Sequence, residues 1–180
     1  MRRVIIGLLV VFVGLVMVTD SLAISAANID KGVKRSLQRL DDIPGAKAVE
    51  KKAIAMLVFP AVFKAGLVIG GEYGEGALVQ NGQTIDYYST AGASFGFQFG
   101  GSKKTVILAF MDKGAYDKFL KSEGWKIGAD AAVTVIAIGA DGSIDTAKTN
   151  KPIIAFVFDK QGLMYNVTLE GAKVTKINRK

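Results

Sequence analysis

The chain has 180 residues, 23 basic and 16 acidic side chains, a net charge of +7, and neither histidine nor cysteine. Those two absences exclude histidine general-base catalysis, thiol nucleophiles, the usual zinc sites and any disulfide framework. The length suits one domain with a sizeable core, and the positive charge points to an anionic partner surface or to plain solubility.

The amino terminus differs in character from the rest of the chain. Arg2 and Arg3 precede an uncharged run from Val4 to Val18, then Asp20 and small residues from Ala23 to Ala27. This is the layout of a secretory signal, and its apolar run is shorter than the roughly 20 residues of a spanning helix. Cleavage after Ala23, Ser25 or Ala27 fits the pattern. The expectation is a signal peptide over 1–25 and a single domain over 26–180, exported to the periplasm or cell envelope, with an uncleaved anchor as the alternative. Loss of Arg2, Arg3 and Asp20 leaves 21 basic and 15 acidic side chains, so the mature protein is still basic. Without a lipobox cysteine, no lipid is attached after cleavage.

From Asn28 to Asp42 the pattern is helical. Ile29, Val33, Leu37 and Leu40 fall on one face, with Lys31, Lys34, Arg35 and Arg39 away from it. Such a basic amphipathic helix either packs its stripe on the domain's own sheet or lies on an anionic membrane. Pro44-Gly45 ends it, and a second helix is expected from Ala46 to about Ala55, carrying Lys47, Lys51 and Lys52. Met56-Leu57-Val58-Phe59, closed by Pro60, reads as a buried strand or the end of that helix.

Ten of the 21 glycines lie between Gly66 and Gly101, interleaved with Val, Ile, Tyr and Phe. Glycines so placed mark bent strands, bulges or close approaches, not a linker. Asn81-Gly82, between Leu67–Gln80 and Gln83–Ser89, is the strongest hairpin signal. Phe95, Phe97 and Phe99 share one face of the next strand, and Thr105–Met111 forms another. Asp112 is expected to cap a short helix to about Lys121, with Met111 and Tyr116 stapling its start and Phe119 and Leu120 facing inward. Trp125 sits in a loop-like setting. Ala131–Ile138 and Ile153–Phe158 read as central strands with turns at Asp141-Gly142 and Asp159–Gly162, Leu163–Glu170 alternates, and Lys173–Ile177 reads as an edge. The fold class is therefore α+β: a mainly antiparallel, strongly curved sheet, barrel-like or sandwich, with N-terminal helices and one inserted short helix.

Several short motifs carry little. Gly92-Ala93-Ser94-Phe95-Gly96 matches a nucleophile elbow by letter, but no histidine exists to take the serine proton. The glycines from Gly70 to Gly76 meet neither dinucleotide nor Walker spacing. Glu72 and Glu75 are exposed strand carboxylates first, with cation binding or pairing to Lys64 as the sharper reading. Asp141, Ser143 and Asp145 are turn residues before they are a calcium site, and Asn166-Val167-Thr168 is a formal sequon. Aromatics are not interleaved with arginines, so nucleic acid is a poor fit. An enzyme would have to use Glu72, Glu75 or Asp86, and no catalytic residue, metal or cofactor is expected.

A longer series resembles a known family. Leu57-Val58-Phe59-Pro60, Lys64-Ala65-Gly66, Gly70-Gly71-x-Tyr73-Gly74-x-Gly76, Tyr87-Tyr88-Ser89-Thr90-Ala91-Gly92-Ala93-Ser94-Phe95-Gly96, Gly124-Trp125, Gly139–Thr146 and Gly162-Leu163-Met164 resemble the SYLF domain in order. The likeness covers roughly Asn28 to Ile177. It implies a lipid-binding module, with lipid recognition attributed in eukaryotic relatives to the basic amphipathic helix at the start of the domain. It does not carry actin association to an exported protein. The expected function is non-catalytic binding of anionic phospholipid through Lys31, Lys34, Arg35, Arg39, Lys51, Lys52 and Lys64, with an envelope protein partner or stress-response module as the alternative.

Overall fold

The computed structural model describes residues 24–66, 69–95, 102–136, 144, 150–160, 162–164, 167 and 169–180. Two helices come first, α1 (Ala26–Asp41) and α2 (Ala46–Lys52). The long strands β1 (Ala55–Gly66), β2 (Ile69–Gln80), β3 (Gln83–Phe95) and β4 (Ser102–Phe110) follow, then α3 (Lys113–Lys121). Short strands complete the described chain: β5 (Trp125–Lys126), β6 (Thr134–Val135), β7 (Ile153–Phe158), β8 (Leu163–Met164) and β9 (Lys173–Ile177). They form one sheet in the order β5-β9-β3-β2-β1-β4-β7-β6, with β8 against β7. Every strand pair is antiparallel except β6 with β7. The sheet curls into a half-barrel, as the class read from the sequence requires.

Local chemistry sets the framework. Asn81 and Gly82 both take positive φ, 52° and 76°, the two-residue turn whose twist matches its flanking strands. Pro60 lies within β1 at a bulge, where the register shifts between Val58 and Ala61 against β2 and between Phe59 and Val62 against β4. A bulge suits proline, which has no N–H to give to the ladder. It also reverses the alternation, so Phe59 and Val62 share a face while Phe63 turns to the other. Gly76 makes room for this: a Cβ there would stand 2.1 Å from the Val58 carbonyl oxygen.

Each face of the sheet has its own core. On the concave side Leu57, Phe59, Leu108 and Phe110 pack with Phe119 of α3 and with Trp125. Phe119 meets Phe110 at 4.9 Å between ring centroids and Trp125 edge-on at 5.4 Å. On the convex side Ile29, Val33 and Leu40 of α1 and Val49 of α2 cover Val58, Ile107 and Phe156. The stripe on α1 is thus spent on the domain's own sheet. Gly32 fits the helix tightly over Pro60, where a Cβ would come within 2.8 Å of the proline ring.

Several expectations change. The second helix stops at Lys52 and Ala55 already belongs to β1. Trp125 is buried in a strand, not placed in an open loop, because the concave core needs a large ring between Phe119 and Phe110. Leu120 is 45 % exposed; one step round a helix from Phe119 it cannot share that residue's buried face. Met111 packs into the convex core and Tyr116 into the concave one, so they do not staple α3, although Asp112 caps it by accepting from the Ala115 N–H at 2.9 Å. Ala131–Ile138 is no central strand: within its described residues only Thr134–Val135 forms a strand, at the end of the sheet, and Ala131 makes an isolated bridge to Ile127. Among the described residues of the stretch read as Leu163–Glu170, Leu163–Met164 forms the strand. β9 is an edge only in part: β3 flanks it along five positions, while β5 covers Lys173 and Val174 alone among the described residues. Gln83–Phe95 is a single strand. Phe97, Phe99, residues 1–23 of the signal peptide expected over 1–25, the Asp141-Gly142 turn with Ser143 and Asp145, and the sequon residues Asn166 and Thr168 lie outside the described residues.

Candidate functional site

Helix α1 begins at Ser25, whose hydroxyl oxygen faces the Asn28 N–H at 3.4 Å. Asp30 then ties the helix to the sheet, accepting from Thr84 and Tyr87 at 2.9 Å each. With its apolar stripe inward, α1 leaves Lys31, Lys34 and Arg35 exposed. Lys51 and Lys52, in the last turn of α2, are exposed as well.

Beside α1 runs a groove of about 410 Å³ between the helix and the convex face of β1 and β4. Cations from remote parts of the chain meet there: Arg35 and Arg39 from α1, Lys103 from β4 and Lys160 from the turn after β7. Arg39 is half-buried and internally engaged, donating to the Asp159 carbonyl at 2.6 Å and stacking over Phe158 at 5.1 Å. Next to the groove Phe63 of β1 stands opposite Tyr73 of β2, and both rings are about half exposed. The Lys103 ammonium lies 5.9 Å from the Phe63 ring centroid.

Glu75 closes one end of this groove and is buried. It accepts from both arms of Arg179, with Nε at 2.8 Å, and from the Tyr73 hydroxyl at 2.8 Å. Burial alone would raise its pKa, but the Arg179 and Tyr73 hydrogen bonds, the Arg179 charge and the Ile24 amide outweigh it and hold the carboxyl below its ordinary value.

The expected binding residues are therefore not all brought together. Lys31, Lys34 and Arg35 share one outward face, and Arg39 is diverted to Asp159. Lys64 lies on the opposite, concave face of the sheet, directly across from Glu72, which Lys104 also reaches at 2.7 Å. The bulge at Pro60 decides that side. Sequence reading missed Lys103 and Lys160, since nothing local announces that a strand and a turn will meet α1. Of the three carboxylates an enzyme would use, Glu72 and Glu75 are held in ion pairs as described, and Asp86 pairs with Lys176 at 2.8 Å. The serine motif at Ser94 lies on a strand that runs on to Phe95, without the turn that an elbow requires.

Comparison with known proteins agrees with this fold. The family model described as Ysc84, Las17-binding protein actin regulator, matches residues 91–180, half of the chain, from the second half of β3 through Lys180. The chain matches no curated protein. The expected resemblance thus stands, and the chain belongs to the Ysc84, or SYLF, domain family.

Proposed function

We propose that this protein is a non-catalytic binder of anionic phospholipid surfaces at the cell envelope, exported there by its amino-terminal leader. The observation that carries this reading is the division of labour on α1. Its stripe faces the sheet, while Lys31, Lys34 and Arg35 face outward beside a groove holding Lys103 and Lys160. Pulling Ile29, Val33 and Leu40 out of the core would cost at least about 5 kcal/mol at roughly 1.5–3 kcal/mol for each side chain. The helix therefore stays docked and the contact is peripheral, made by charge. The exposed Phe63 and Tyr73 rings, on the same face, are amphipathic enough to sit at a headgroup boundary.

Juxtamembrane cations contribute about 1 kcal/mol each near an anionic surface, so neutralising three weakens binding by on the order of 100-fold. The test is co-sedimentation of the exported chain with phosphatidylcholine and phosphatidylglycerol vesicles at low and high salt. Salt-sensitive binding to phosphatidylglycerol alone, lost on changing Lys31, Lys34 and Arg35 to glutamate, is expected. Sedimentation unchanged in that triple variant would sink the assignment. The same aromatic pair also supports an envelope protein partner, favoured if vesicles fail and Phe63→Ala with Tyr73→Ala abolishes recovery of a defined protein from envelope extract.

A further inference from the structure

The concave side of the half-barrel contains a cavity of about 810 Å³, which shares Lys103, Lys104 and Asp159 with the α1 groove and falls within the ~300–1,000 Å³ range of small-molecule sites. Its walls are largely apolar: Phe59, Val62, Val106, Leu108, Met164 and Leu169 line it. The space exists because the strands carry small residues on this face. Thr90 and Gly92 of β3 lie along it, and at Gly92 an added Cβ would already stand 3.3 Å from Ala172. Towards the far ends of β1, β2 and β4 the same face turns polar, through Lys64, Glu72, Ser102 and Lys104.

That polar lip has a definite order. Lys64 stands opposite Glu72 in the β1–β2 register, and the Lys104 ammonium reaches the same carboxylate at 2.7 Å. Lys104 and Glu72 thus form an ion pair whose side chains are only 15 % and 22 % exposed, and Lys64 sits across the strand register from the same residue. The remaining rim carboxylates, Asp159 and Glu170, belong to turns, and Asp159 accepts from the Gly162 N–H at 3.0 Å. An apolar trough ending at paired lysines suits a long chain with an anionic end.

We propose that this cavity binds one long-chain acyl amphiphile, its chain along Val62, Val106 and Leu169 and its anionic head at Lys64 and Lys104. Chain burial supplies affinity, at about 0.8 kcal/mol for each buried methylene, and the lysines select the head. The site needs neither the cations of α1 nor a membrane.

Isothermal titration of the exported chain with octanoate and hexadecanoate tests it. One-to-one binding that tightens with chain length is expected. Val167→Phe, which fills the cavity from a half-buried wall position, is expected to weaken hexadecanoate at least tenfold with unchanged circular dichroism. Lys64→Gln with Lys104→Gln, a change at the lip that leaves the walls alone, should weaken hexadecanoate but not hexadecanol. A parallel titration with lysophosphatidylglycerol distinguishes a free fatty acid from the same chain on a phosphodiester; saturable binding of either supports the site. Val167→Phe should still sediment with phosphatidylglycerol vesicles, and the triple α1 variant should still bind hexadecanoate, so the two proposals fail separately. No saturable binding of either amphiphile, or a folded Val167→Phe that binds as the unaltered chain does, overturns the proposal.

Discussion

Arg179, beyond the last strand, grips the buried carboxylate of Glu75 in the middle of β2 with two hydrogen bonds. The pair joins the chain's end to the first turn of α1, because the Ala26 N–H donates to the Lys180 carbonyl at 3.1 Å and the Ile24 N–H also reaches Glu75. Breaking a buried pair by removing one partner leaves an uncompensated charge, which is costlier than the pair's net worth. Arg179→Ala is expected to lower stability by about 3 kcal/mol at neutral pH, the low end of the usual range because Tyr73 and Ile24 still donate. The folded pKa of Glu75 lies below its ordinary 4.5, so its contribution is full above that value and is lost as pH falls through the depressed one. Urea midpoints for the two proteins should therefore converge as pH falls below the ordinary carboxylate range. A gap as wide there as at neutral pH would show that the fork is not what Arg179 contributes.

Two neighbouring glycines should respond in opposite ways. Gly76→Ala drives a methyl against the Val58 carbonyl of the bulge and is expected to cost about 3 kcal/mol. Gly71→Ala meets nothing nearer than the Gly92 carbonyl at 4.0 Å and should be neutral or stabilise by about 0.5 kcal/mol through reduced unfolded-state freedom. Thermal melts of both variants decide the point; equal losses would contradict the close approach at the bulge.

Arg39 and Lys34 are both cations of α1 with different duties. Arg39→Ala removes a bond to the Asp159 carbonyl and a stacked ring, so a loss of about 1–2 kcal/mol is expected in chemical unfolding. Lys34→Ala should change stability by less than about 0.5 kcal/mol, yet Lys34→Glu should weaken vesicle binding more than Arg39→Gln does. The reverse ranking in either assay would mean that the two residues have been given each other's roles.

The leader junction can be read from the same contacts. Cleavage after Ala23 keeps Ile24 on Glu75 and Ser25 at the start of α1. Cleavage after Ser25 discards both, and cleavage after Ala27 also removes the Ala26 bond to Lys180. Under the proposed export, the mature protein is therefore expected to begin at Ile24, two residues before the boundary read from sequence pattern. Intact-mass measurement on the secreted protein checks this, and a chain starting at Ala26 or Asn28 would refute it.

Local signals were the legible ones. The recurrence of Ile29, Val33, Leu37 and Leu40 located α1, Asn81-Gly82 located the β2–β3 hairpin, and Asp112 marked the start of α3, each through bonds between near neighbours in the chain. Apolar runs were less informative, because a run records that burial exists without saying what does the burying. Ile153–Phe158 is covered on both faces as expected, whereas the described part of Ala131–Ile138, equally apolar, contributes only the short strand Thr134–Val135 at the sheet's end. Trp125 carried no periodic signal at all; its pairing with Val174 of β9 and its ring contacts with α3 and β4 place it.

By itself the sequence determined the chemistry available: no histidine or cysteine, a basic surface, a cationic helix and a glycine-rich curved sheet. The tertiary structure decided how that chemistry is shared out. A single bulge at Pro60 sends Lys64 to the concave cavity and Phe63 to the convex face, and chain reversals bring Lys103 and Lys160 to α1. Side-chain spacing is a local property, but which side of a sheet is lined or covered depends on register and long-range packing, which no window of sequence contains.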